Sequence, residues 1–443
     1  MALSLGWHIV LACFGMVFPA MIFVVHRRGL RGDRAALELA KRWSKIAAVL
    51  FAIGAVSGTI LAFEMGLLWP ELMARYGDVV GLMFTLEGIA FFIEAIFLGI
   101  YVYGWGRIPS HRLIWMLVPI TASGIVGSFF VLSVNAWMNA PAGFRISPDG
   151  DVTDVRPLAA MLNGAVGYSF VHMYLAGVMV VGFALAAIYA VGWRRGRHDR
   201  IHRLGIVVPL TFAAIAAPLQ PVVGHFAGQR VADEQPAKLA AMEGLAETTT
   251  SATLELGGWW NGEELVGAIE VPIPGLLSFI AQNDPDATVI GFDQIPEGER
   301  PPVNITRIAF QVMVGLGTLL ALLATWAGVR GWRARRGGAD LLASRWFLRA
   351  LIVAGPAAVV AMEAGWIVTE VGRQPWIVHG LMRTEEAVTD AGYIWLTLSV
   401  LVVVYSAMTA GAWVLLRSMS RRWRAGEKDL PSPYGPAALG DDT

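Results

Sequence analysis

Eight side chains in this sequence stand in apolar surroundings, and their types suit redox and proton chemistry. His8, Glu64, Glu87, Glu94, His172, Glu363 and Glu370 lie within or at the ends of long apolar runs, together with Met313. An ionisable group at membrane depth costs several kcal/mol, so each is read first as functional. Neutral imidazole and thioether sulfur are metal ligands. Glu87 and Glu94 are seven residues apart, which puts both carboxylates on nearly one helix face and suits stepwise proton delivery. Asn135, in the run SVNAWMNAP, offers a further polar stop.

Each residue also has a plainer reading. A lone membrane histidine often bonds helix to helix, and Met313 alone reads as packing. Glu64 reads as a carboxylate snorkelling to the interface. His26, His111, His198 and His202 fall in basic connections and read as solvated or lipid-facing, whereas His225 and His379 fall among the basic-poor ones. The tryptophans, 17 in all, read partly as an interfacial belt. The combination tips the balance: at 1.5 Å per residue, His172 and Met313 each lie roughly 10 Å below one surface, with Glu87 at similar depth. His8 and Glu370 sit at span ends on that side, and Glu363 lies two turns deeper than Glu370. Ligands from five spans in one layer are what a buried cofactor array requires.

The elements that must position these residues are membrane helices. The chain has 443 residues, 56% of them hydrophobic and 15% charged, with mean hydropathy +0.57. Soluble domains carry about 25% charge. Nine runs, near 5–25, 46–66, 79–104, 114–135, 165–192, 205–224, 306–328, 347–369 and 391–416, are long enough to cross about 30 Å of hydrocarbon. The expected fold is all-α, a polytopic helical bundle forming one membrane domain over 1–443. Connections after the first, third, fifth, seventh and ninth spans are strongly basic and the others are not. The positive-inside rule then places the N-terminus outside and the C-terminus inside, and any other span count breaks the pattern. The acidic 225–305 connection lies outside and is too long to be passive. Residues 430–443, with three prolines from Pro431, read as a loose cytoplasmic tail. The N-terminal run lacks a preceding basic region and a cleavage site, so it reads as a retained span. Cys13 is the single cysteine and no C-x-x-C-H occurs, which excludes disulfides, thiolate clusters and covalent haem attachment. Net charge is zero, and nothing points to nucleic acid.

Several runs resemble subunit I of the cytochrome bd quinol oxidases. The most specific is EAGWIVTEVGRQPW, Glu363 to Trp376, with its GRQPW ending. QPAKLAAMEG, Gln235 to Gly244, falls in the long outer connection, and the third span from Gly77 to Trp105 also matches. SFVHMYLAG around His172, VNAWM around Asn135 and QVMVG around Met313 follow in the family's order, so the similarity covers nearly the whole chain.

The resemblance implies a terminal oxidase subunit of the prokaryotic cytoplasmic membrane, oxidising quinol outside and reducing oxygen to water with protons from inside. It implies three haems. His172 and Met313 would ligate a low-spin haem b, a pair suited to electron transfer. His8, Glu87 and Glu370 would serve a second haem b and the oxygen-binding haem d, or a haem b in its place. Trp366 would stand between haems, and Arg373 would pair with propionates. Glu87, Glu94, Asn135 and Glu363 would handle protons, and Lys238 and Glu243 would bind and deprotonate quinol. Implied partners are a second multispan subunit, a small accessory membrane subunit and membrane quinone. The chain departs from the family pattern at its opening MALSLGWH, at Ala62, at Gln311 in place of an arginine, and in a Glu87–Glu94 spacing one residue shorter. Two other readings stay open: a haem b membrane protein with another electron donor, and a proton-coupled transporter. A transporter would show internal repeats, and none is evident.

Overall fold

A computed structural model of the chain describes residues 1–426, so the tail expected over 430–443 lies outside the described residues. The helices are α1 Ala2–Gly29, α2 Arg34–Leu68, α3 Pro70–Tyr103, α4 Ser110–Leu113, α5 Leu117–Asn139, α6 Pro157–Met161 and α7 Val166–Arg194. There follow α8 Arg200–Glu234, α9 Pro236–Glu243, α10 Leu276–Gln282, α11 Val303–Arg335, α12 Arg345–Val371, α13 Thr384–Ala387 and α14 Ile394–Ala425. Among the described residues nine helical segments are long and apolar enough to cross a membrane, as the apolar runs predict.

The helices outrun the apolar stretches that announce them. Asp33 caps α2 by accepting from the Ala36 amide at 3.2 Å, and the basic segment 34–45 is helical before the apolar run begins. Asp199 caps α8 in the same way, accepting from the His202 amide at 2.9 Å. α8 continues to Glu234, so the long connection is 235–302, shorter than expected.

Two four-helix groups form the body. α1, α2, α3 and α5 pack together, as do α7, α8, α11 and α12, and α1 and α5 meet α7 between them. α14 stands at the side against α1 and α2. Lipid-facing helices gain little from the hydrophobic effect on one another, so close backbone approach at small residues matters. At Gly182 of α7 a methyl group would lie 2.8 Å from the Pro209 carbonyl of α8, and at Gly124 of α5 one would lie 3.0 Å from the Gly15 carbonyl of α1.

The basic connections gather at one end of the bundle. Arg200 Nη2 lies 2.9 Å from Asp33, Arg203 pairs with Asp340, and His26 meets Ser110. At the opposite end the connection 235–302 carries α9, α10 and an antiparallel hairpin of Glu255–Trp260 with Leu265–Glu270. Gly244, at φ +67°, ends α9 in the left-handed conformation and turns the chain toward that hairpin.

Candidate functional site

Three of the intramembrane ligand candidates share a local design. His8, His172 and Met313 each face a glycine of a neighbouring helix: a methyl group at Gly58 of α2 would come within 3.1 Å of His8 Cε1, and one at Gly224 of α8 within 3.3 Å of His172 Cε1. The same holds for Gly365 of α12 against Met313 Sδ (3.0 Å), Gly6 of α1 against Glu363 Oε2 (3.2 Å) and Gly15 against Glu94 Oε1 (3.3 Å). On that flank these side chains border bare backbone.

His8 Nδ1 lies 2.8 Å from Ser57 Oγ, whose own hydroxyl donates to the Gly54 carbonyl at 2.9 Å. Ser57 has one proton and spends it on Gly54, so it accepts from Nδ1–H, and Nε2 keeps its lone pair. That is the tautomer a metal ligand needs. His172 and Met313 lie in one four-helix group, on α7 and α11. The Gln220 amide nitrogen of α8 is 3.2 Å from His172 Nε2, and Nδ1 is buried without a partner.

Glu370, at the end of α12, is held on both oxygens. Asn135 donates to Oε1 at 2.5 Å and Arg373 Nη2 to Oε2 at 2.7 Å. Arg373 is 2% exposed, yet its Nε and Nη1 have no acceptor, an arrangement that calls for an anionic group. Trp366 Nε1 and Glu363 Oε1 are likewise buried without partners. Glu87 is half-buried and Glu94 is 8% exposed. Among the described residues no group of three or more His, Cys, Asp or Glu could cage a bare metal ion, so the ligand candidates act singly or in pairs.

Lys238 and Glu243 come from α9, outside the spans, and both are buried rather than displayed at a surface. Lys238 Nζ donates to Asn139 Oδ1 at 2.9 Å. Burial, and then the Arg373 guanidinium, pull its ammonium down to about 7 against the opposing pull of Glu370. Burial pushes the Glu243 carboxyl up to about 7, with Arg307 opposing and Glu255 adding. Burial, reinforced by Lys238 and Arg373, also lowers His379.

Two residues of this region, Asn139 and Arg307, are not singled out by the sequence. Asn139 links Lys238 to the Asn135 backbone carbonyl, to which its amide donates at 2.9 Å, and it takes a bond from Gln235 on its own carbonyl at 3.0 Å. Its i+4 spacing from Asn135 was the available signal. Arg307, 1% exposed, donates to the carbonyls of Met242, Glu255 and Gly257 and so ties the hairpin to α11. Gln311 accepts from the Gly257 amide at 2.8 Å, so it serves the same hairpin.

Two residues stand differently from their sequence reading. Glu64 is 5% exposed and accepts from Ser4 Oγ at 2.6 Å, because α1 and α2 close over it before it can reach an interface. His26 is fully buried rather than solvated, since α3 and the 104–110 turn fold across it.

The fold and these residues define a polytopic helical membrane protein with single ligand-type side chains set against bare helix backbone. The family profile "Cytochrome bd terminal oxidase subunit I" matches residues 1–423. A Bacillus subtilis (strain 168) protein named as a cytochrome bd menaquinol oxidase subunit I is 36% identical over 429 residues, 93% of each chain. The cytochrome bd ubiquinol oxidase subunit 1 of the same organism is 30% identical, covering 80% of this chain and 76% of its own. The solved bd oxidase of Geobacillus thermodenitrificans superposes with TM-score 0.88 at 35% identity, covering 95% of this chain and 96% of that one. The chain belongs to the cytochrome bd terminal oxidase subunit I family, whose members are parts of respiratory oxidoreductases.

Proposed function

We propose that this chain is the haem-bearing subunit of a quinol:oxygen oxidoreductase in the prokaryotic cytoplasmic membrane, with the 235–302 side outside. The observation that carries the reading is the buried Arg373 beside Glu370, with two N–H groups that have no acceptor. Those two groups suit propionates, and glycines of neighbouring helices pack directly against His8, His172 and Met313. On that test the residues fit haem. His172 and Met313 hold the low-spin haem b, and His8, Glu87 and Glu370 serve a second haem b and the oxygen-site haem, of the d type or a b type in its place. Bound there, haem supplies one-electron transfer and oxygen binding.

The chain's own residues do the rest. Lys238 orients a quinol hydroxyl and Glu243 accepts its proton, both within reach of neutrality at about 7. Glu94 takes protons from the inner side and passes them to Glu87 and Glu363, and Asn135 ends the route by donating a hydrogen bond to Glu370. Trp366 fills the space between haems. Quinol protons leave outside and oxygen-site protons come from inside, so charge is separated without a pump. A second multispan subunit completes the enzyme, with a small accessory membrane subunit beside it.

The purified complex is expected to consume oxygen with a quinol as sole donor, and Glu94→Gln to lower that rate by at least about tenfold with haem content unchanged. A complex that holds haem but gives no quinol-driven oxygen uptake would instead favour a haem b protein with another donor.

A further inference from the structure

The third span carries a third group in register with its two glutamates. Tyr101 follows Glu94 by seven residues, as Glu94 follows Glu87, so all three lie on nearly one face of α3. Tyr101 is fully buried, and its hydroxyl is 2.9 Å from His26 Nδ1 of α1. The other ring nitrogen, Nε2, is 3.2 Å from Ser110 Oγ at the start of α4, in the basic end of the bundle. Trp105 stacks on the His26 ring at 4.9 Å and 27°, and its buried Nε1 has no partner. Lys41 Nζ lies 5.5 Å over the Trp105 ring.

A histidine with a hydroxyl on each nitrogen, buried at a membrane protein's inner end, is more than packing needs. We propose that Ser110, His26 and Tyr101 form the inner mouth of the proton path that Glu94 and Glu87 continue. His26 takes a proton on Nε2 from the Ser110 side and releases one from Nδ1 to the Tyr101 hydroxyl, which passes its own proton onward. Releasing Nδ1–H leaves the imidazole neutral as its Nε2–H tautomer, and a flip of the ring then restores the Nδ1–H form, so one proton has moved and the relay is reset. From Tyr101 to Glu94 the path rises about 10 Å along α3. Gly15 leaves the Glu94 end bordered by bare backbone, and the unsatisfied Trp105 Nε1 marks a polar position at the mouth where a bridging water finds a donor.

This inference rests on the reading of Glu94 as a proton carrier from the inside, and the test separates the two. Tyr101→Phe, which keeps the buried ring, and His26→Gln are made in the purified complex beside Glu94→Gln. The expected result for both is a roughly tenfold slower quinol-driven oxygen uptake, below the 10²–10⁴ of a direct acid–base group. Haem spectra and the rate of anaerobic haem reduction by quinol stay as in the parent, and the solvent deuterium isotope effect on turnover grows. If His26→Gln does not fold, Tyr101→Phe alone decides. Parent-like turnover in Tyr101→Phe with a slowed Glu94→Gln overturns the inner mouth and leaves the Glu94 path standing. Parent-like turnover in all of them overturns both.

Discussion

Replacing His172 by alanine is expected to abolish the low-spin haem b signal and to bring quinol oxidation to background. The imidazole sits on α7 against bare Gly224, with Nδ1 buried and unpartnered, and Met313 stands against Gly365 in the same four-helix group. His172 and Met313 would hold one haem iron between them, so losing the imidazole would leave only the weaker thioether ligand. The measurement is a reduced-minus-oxidised spectrum of the purified variant, compared with Met313→Ala. Both should lose the same band while the remaining haem signals persist. An unchanged spectrum in His172→Ala would refute its role as ligand. The remaining signals matter because they separate ligand loss from a failure to fold.

The second large effect concerns the outer connection. Glu243 ionises only as pH passes about 7, since burial favours its neutral form. As the base for quinol it must be ionised, so kcat/KM should rise with pH through about 7. Glu243→Gln should lose that limb and about 10²–10⁴ in rate while haem content holds. Stability runs the other way for this group. The folded state binds the Glu243 proton more tightly than the unfolded chain, whose carboxyl titrates near the ordinary 4.5, so the group's favourable contribution is lost as pH rises from there to about 7. Lys238 has the opposite sign: the unfolded chain binds its proton more tightly, so its contribution improves with pH from about 7 to its ordinary 10.5. A pH profile of Glu243→Gln that keeps the limb at about 7 would assign the limb to another group, and Lys238→Met is the variant that checks it.

Much of the fold was legible because a membrane reads composition directly. Apolar length gave the nine spans, and the alternation of basic connections predicted which ends lie together, as the Asp33–Arg200 and Arg203–Asp340 pairs bear out. Hydropathy misplaced the ends of α2 and α8, because a helix capped by Asp33 or Asp199 begins in polar sequence that no apolar window registers. At the candidate site, residue type and depth marked His8, His172, Met313 and the glutamates. What faces them was not legible: Gly58, Gly224 and Gly365 are ordinary glycines in the sequence, and only the pairing of helices puts them opposite these side chains. His26 was misread for a related reason. The run HRRGLRG looks solvated, yet the 104–110 turn folds over the ring and supplies Ser110. Lys238 and Glu243 belong to an outer connection, yet α9 packs both inward, with Lys238 on Asn139, which the sequence does not show.

The single ligand-type residues of these helices are expected to hold haem for oxygen reduction. The most direct test is the reduced-minus-oxidised absorption spectrum of the complex purified with its second subunit, with haem extracted and typed from the same sample. The expected spectrum has b-type bands from two haems and a third signal at the oxygen site, chlorin-type for haem d or b-type in its place. A complex that is folded and intact but shows no haem band would contradict it.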